Sequence, residues 1–80
     1  MRDVVVFHGA GCHACHDEIE FLSRNEVMFT AKDVVVDQEA RSELLKLGSR
    51  TLPTTVIDGR VVIGFDKELL SELLGIERAG

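Results

Sequence analysis

Two cysteines stand three residues apart in Cys12-His13-Ala14-Cys15, with His16 directly after them and His8 four residues before. Three chemistries fit these residue types. A dithiol at this spacing can cycle between thiol and disulfide, with one sulfur attacking a partner disulfide and the other displacing the product. Thiolates and imidazoles can also ligate zinc or copper(I). The run Cys12 to His16 further satisfies the C-x-x-C-H pattern of covalent haem attachment, with His16 as axial ligand. The metal reading is weakened because adjacent helical residues point in divergent directions, so the three histidines and two cysteines cannot all converge on one ion. The haem reading rests on a five-residue pattern alone.

What decides among them is the structure around the pair. Val4-Val5-Val6-Phe7 is an apolar run without alternation, the signature of a strand buried on both faces. It stops at His8-Gly9-Ala10-Gly11. Beyond that turn Ala14, Cys15, Ile19 and Leu22 recur at near-helical spacing, which predicts a helix from about Cys12 to Arg24, with Asp17, Glu18 and Glu20 on other faces. Cys12 then lies at the junction of a strand's C-terminal end and a helix N-terminus, where binding chemistry gathers in such sheets.

A second strand is expected within Met28 to Val36, followed by a helix capped by Asp37, carrying Ala40, Leu44 and Leu47, and stopped at Gly48. Thr54 to Ile57 and Arg60 to Ile63 are β-branched runs joined by only Asp58-Gly59, the pairing that suits a two-residue type I′ hairpin turn. Asp66 is placed to cap a last helix with Leu69, Leu70, Leu73 and Leu74 on one stripe and Gly75 at its end. The order is strand, helix, strand, helix, hairpin, helix. The expected fold class is α/β, a βαβαββα arrangement with a four-stranded mixed sheet flanked by three helices: a parallel first pair with a right-handed crossover, extended by the antiparallel hairpin. Eighty residues make a single domain, 1–80, that buries only roughly 60% of its unfolded surface.

At the helix N-terminus the first N–H groups lack intrahelical partners and the macrodipole is positive, so Cys12 is favoured as thiolate and its pKa is expected to fall below the ~8.5 of a free cysteine. Cys15, one turn inward, is the resolving thiol. The acidic residues Asp17, Glu18 and Glu20 oppose a nearby thiolate, while a protonated His13 between the cysteines favours it and raises the reduction potential. His16 reads as a solvent-facing residue.

Composition excludes other classes. The net charge is −5 and the nine basic residues are scattered, which disfavours nucleic-acid binding. No apolar stretch approaches the ~20 residues of a membrane span, and Met1-Arg2-Asp3 leads straight into the apolar run, so neither a span nor a secretory leader is expected. Two cysteines this close cannot staple a fold. A monomer in the reducing cytoplasm is the default.

Val6-Phe7, the short turn, Cys12-His13-Ala14-Cys15, Thr51-Leu52-Pro53-Thr54, Asp58-Gly59 and Ile63-Gly64-Phe65-Asp66 together resemble the successive landmarks of glutaredoxin-like redoxins of the thioredoxin-fold superfamily. The resemblance covers nearly the whole chain. It implies a disulfide reductase with catalytic Cys12 and Cys15, no required cofactor and metal ligation by none of these residues. It also implies a cis bond before Pro53, facing the cysteines, and a substrate surface made of Thr51, Leu52, Pro53, Gly64, Phe65 and Asp66, with the main chain of Leu52 pairing with an extended thiol substrate. The partners implied are a disulfide-containing protein or a glutathione mixed disulfide, with glutathione or a reductase as electron donor. For Phe65 core packing is an equal alternative.

Two departures bear on glutathione as co-substrate. Gly9 stands where glutathione-using members often carry a basic residue, and Gly64-Phe65 replaces a Gly-Gly turn, although a helix N-terminus able to accept a carboxylate remains. Thioredoxins proper usually show Trp-Cys-Gly-Pro-Cys and a buried acid six positions before the first cysteine; here those places hold Gly11 and Val6.

Overall fold

The β-branched opening run forms strand β1 (Val4–His8), and its side chains supply two cores rather than one. Val4 and Val6 pack with Leu22, Ile57, Val62 and Leu70 on one side. Phe7 packs with Val34, Ala40 and Leu44 on the other, with Val5 and Val56 against them. A strand with two apolar faces needs a layer on each, and this explains the lack of alternation in its sequence. The computed structural model describes residues 3–76; Met1-Arg2, on which the leader reading rests, lies outside them.

The remaining elements are helix α1 (His13–Arg24), strand β2 (Thr30–Asp33), helix α2 (Gln38–Lys46), strands β3 (Thr54–Ile57) and β4 (Arg60–Ile63), and helix α3 (Lys67–Leu74). The sheet order is β2-β1-β3-β4. β1 runs parallel to β2 and antiparallel to β3, which pairs antiparallel with β4. This is the expected mixed four-stranded sheet with three helices. Residues of α1 and α3 join the Val4/Val6 core, and those of α2 join the Phe7 core, so two helices cover one face and one covers the other.

Local chemistry sets the ends. Asp37 caps α2 by accepting from the N–H groups of Glu39 and Ala40, and Asp66 caps α3 by accepting from that of Leu69. Gly75 closes α3 in the left-handed conformation, with φ 68°. Asp58 and Gly59 both adopt positive φ, 48° and 86°, as a type I′ turn requires. The second strand is shorter than the Met28 to Val36 window. Its end is set by Asp33, whose carboxylate accepts from the N–H groups of Val35 and Val36 at 2.8 and 3.4 Å and folds the chain into a turn. Val35 and Val36 are left exposed despite their β-branched side chains.

Candidate redox site

The turn after β1 hands the chain to α1 in four residues. Gly11 has φ +75°, a conformation L side chains rarely adopt. The N–H of Cys12 donates to the carbonyl of Gly9 at 3.4 Å. Cys12 itself is the N-cap of α1, which begins at His13, one residue after the expected start; its backbone is extended, and its Sγ accepts the N–H of Cys15 at 3.1 Å. A helix cap is normally an oxygen; here the cap acceptor is the reactive sulfur.

Cys12 and Cys15 are joined as a disulfide with Cα atoms 5.2 Å apart. Their environments differ. Cys12 is half-buried, whereas Cys15 retains only 2% of its accessible surface. An open cleft of about 310 Å³ lies over the pair, lined by His8, Gly9, Gly11, Cys12, His13, Cys15, His16 and Ile19. His13, on the first turn of α1, is exposed beside it. His16 is exposed, with Nε2 3.4 Å from a carboxylate oxygen of Glu20. Among the described residues no group of three His, Cys, Asp or Glu side chains is arranged to hold a metal ion.

The second half of the expected site comes from two distant segments. The Leu52-Pro53 bond is cis. The side chain of Leu52 lies against the turn before the cysteines: a Cβ placed on Gly9 would meet Leu52 Cδ1 at 3.0 Å and Val35 Cγ2 at 3.1 Å. A longer side chain at position 9 would have to displace both. The carbonyl of Thr51 accepts from the hydroxyls of Ser49 and Thr54, and Ser49 and Thr54 hydroxyls are 2.7 Å apart in a buried pair. The carbonyl of Pro53 accepts the N–H of Gly64 at 2.8 Å, which ties the Gly64-Phe65-Asp66 segment to the proline. Phe65 is half-buried, its ring 5.7 Å from that of Phe21 on α1, and packs on the Val4/Val6 core. Thr51 and Asp66 are exposed, while Pro53 is buried. Thus Leu52 meets the Gly9 turn and Gly64 meets Pro53.

One residue of α1 overturns its reading. Glu18, expected on a face of α1 other than the apolar one, has no accessible surface. Cys15, Glu18 and Leu22 are the buried residues of α1, at spacings of three and four, so the inward stripe runs through the carboxylate. That spacing was the available signal, masked by the residue's charge. The Thr55 hydroxyl donates to Glu18 Oε2, and Oε1 has no hydrogen-bond partner among the described residues. Burial pushes the carboxyl up to about 7, against the Thr55 hydrogen bond, which favours the charged form.

The family model described as glutaredoxin matches residues 4–62, from the first strand through the hairpin. The chain belongs to the glutaredoxin family. Among solved glutaredoxin-like structures, a single-residue mutant of the thioredoxin-like protein BC3987 matches with a TM-score of 0.92 at 42% identity, over 96% of this chain and 100% of that one. The glutaredoxin of Archaeoglobus fulgidus matches with a TM-score of 0.77 at 28% identity, over 92% and 87%. A glutaredoxin-like 8.6 kDa protein encoded in a rubredoxin operon of Clostridium pasteurianum is 25% identical over 72 residues, 89% of this chain and 96% of its own. In this glutaredoxin-family protein the bonded Cys12–Cys15 pair is a redox couple, and its fold is that of a thioredoxin-like redoxin rather than of a small haem protein. No helix among the described residues is long and apolar enough to cross a membrane.

Proposed function

We propose that this protein is a thiol–disulfide oxidoreductase that reduces protein or low-molecular-weight disulfides, with Cys12 as nucleophile and Cys15 as resolving thiol. The observation that carries this is the asymmetry of the pair: the half-buried sulfur caps a helix and faces an open cleft, and the other is buried beneath it. In the first step the Cys12 thiolate attacks a substrate disulfide. A bond forms between Cys12 and one substrate sulfur, the substrate S–S bond breaks, and the other sulfur leaves with the electron pair as a thiolate. Cys15 then attacks Cys12 Sγ, the mixed disulfide breaks, the second substrate sulfur leaves as a thiolate, and the Cys12–Cys15 disulfide is restored. The substrate is reduced by two electrons and the protein oxidised by two.

The N–H of Cys15 and the positive end of α1 favour the thiolate of Cys12. His13, when protonated, acts in the same direction. Leu52 offers its main chain beside the turn for an extended substrate, with Thr51 and Pro53 on either side, and Gly64, Phe65 and the N-terminus of α3 at Asp66 complete the surface. The reaction needs no resident cofactor. A reductase or glutathione supplies the electrons that re-reduce the pair, and the reducing cytoplasm is the compartment in which a monomer of this kind works.

The test is a coupled assay comparing glutathione plus its reductase with thioredoxin plus its reductase. Turnover of a disulfide substrate with either donor, lost in Cys12→Ser, supports the reading. Turnover with neither, in protein whose dithiol is intact, overturns it.

A further inference from the structure

Glu18 is a fully buried acid that the exchange steps above do not use. It stands three residues after Cys15 on the same face of α1, and the pair are among the most enclosed side chains of the helix. Helical residues at this spacing have Cβ atoms about 5–6 Å apart. Long side chains on a helix lean toward its N-terminus, over the preceding turn, which is the turn that holds Cys15. Thr55 engages only Oε2, and Oε1 is buried without a hydrogen-bond partner among the described residues.

The surroundings isolate this carboxyl. The residues of the sheet on its side are Val4 and Val6 of β1, Thr55 and Ile57 of β3 and Val62 of β4, with Leu70 of α3 and Leu22 of α1 in the same core. None of these ionises. Cys15 is the titratable neighbour one turn away, and no charged side chain contributes to the shift of Glu18. A buried acid lacking both a cation and a full set of hydrogen bonds costs stability, so its position calls for a role.

Resolution by Cys15 supplies one, because that thiol must lose a proton where solvent scarcely reaches it. The histidines that line the cleft with Cys15 are half-buried His8 and exposed His13 and His16, the last engaged by Glu20, whereas Glu18 is enclosed on the core side of the helix. We infer that Glu18 takes up the proton that Cys15 releases as it attacks the mixed disulfide at Cys12; this rests on the exchange reading above. The step balances. The Cys15–Cys12 bond forms, the Cys12–substrate bond breaks, the thiol proton passes to the carboxylate, and the substrate sulfur leaves as a thiolate. When the pair is next reduced, Cys15 leaves Cys12 as a thiolate and takes the proton back from Glu18. Glu18 thus acts within the exchange itself, as the general base for Cys15.

The probe is 5,5′-dithiobis(2-nitrobenzoate), mixed with the reduced full-length protein in a stopped-flow instrument. Attack by Cys12 releases one coloured thiolate, and resolution by Cys15 releases the second. Glu18→Gln, which preserves shape and an acceptor for Thr55, is expected to lower the ratio of the second rate to the first by roughly tenfold or more near neutral pH. It should also abolish the rise of the second rate that the wild type shows on passing through about pH 7. Thr55→Val removes the hydrogen bond that favours the carboxylate and should move that rise to higher pH. Unchanged ratios and unchanged pH profiles in both variants would overturn the role of Glu18 while leaving exchange at Cys12 intact. Absence of any second release from the wild type, or an equal first release from Cys12→Ser, would overturn the exchange reading and this inference with it.

Discussion

The backbone N–H of Cys15 donates to the Sγ of Cys12 at 3.1 Å, so the sulfur of one cysteine caps the helix through the amide of the other. A charge-assisted version of this bond is stronger than the neutral one, and it exists only when Cys12 is a thiolate. Reduced Cys15→Ser protein should therefore react with iodoacetamide at neutral pH at least about tenfold faster than reduced Cys12→Ser protein, the factor given by one pH unit in thiolate population. Equal rates would show that neither the cap nor the difference in burial distinguishes the two sulfurs.

Glu18 links the site to the stability of the fold. The carboxyl of the unfolded chain titrates near 4.5 and that of the folded chain near 7. Between these values the folded protein keeps a proton that the unfolded chain has lost, so rising pH favours unfolding. The contribution of neutral Glu18 is complete below about pH 4.5, declines across the window to about pH 7 and is constant above it. The stability difference between wild type and Glu18→Gln, measured by urea unfolding of the oxidised proteins, should fall through this window by up to about 3 kcal/mol. A difference independent of pH would mean that the carboxyl is not held neutral by burial.

Much of this architecture is legible from short-range chemistry. Asp37, Asp66 and Gly75 mark helix ends because capping is decided within a few residues. Asp58-Gly59 marks the hairpin because both positions need positive φ. The cysteine pair is legible because its spacing and helix-start position are local too. Glu18 was not, since placing a carboxylate inward costs free energy that only a partner from another element can offset, and Thr55 is 37 residues away. The end of β2 was also hidden: Val34 to Val36 have strand propensity, but the Asp33 carboxylate captures the next amides and turns the chain. The contact of Leu52 with Gly9 joins segments more than 40 residues apart, and no spacing rule reports it.

His13 sits on the exposed first turn of α1, beside the cleft. A protonated imidazole there stabilises a thiolate on Cys12, hence the reduced form, and raises the reduction potential. His13→Ala should lower the potential by roughly 10–20 mV, the equivalent of one surface charge at a helix terminus, with a larger effect in mildly acidic than in alkaline buffer. Equilibration against glutathione redox buffers, followed by alkylation and mass analysis, gives the value. An unchanged dithiol equilibrium in His13→Ala at both pH values would remove His13 from the site.

Gly64 connects the proline segment to the last helix. Its N–H donates to the carbonyl of Pro53 at 2.8 Å, its carbonyl accepts the N–H of Asp66 at 3.1 Å, and its φ is +78°. A Cβ would meet nothing within 4 Å, so space is not what demands glycine here. The demand is conformational, because the left-handed region costs an L residue about 1–2 kcal/mol. Gly64→Ala should lower unfolding stability by about that amount, read from the urea midpoint at constant slope. Relaxing the strain by leaving the left-handed region would swing the N–H away from Pro53 and the Asp66 cap away from α3. In the proposed function the segment holds substrate without touching the sulfurs, so the variant should then also bind a disulfide substrate more weakly, raising KM more than it lowers kcat. A Gly64→Ala protein as stable as the wild type would show that the link between Pro53 and α3 does not depend on this backbone conformation.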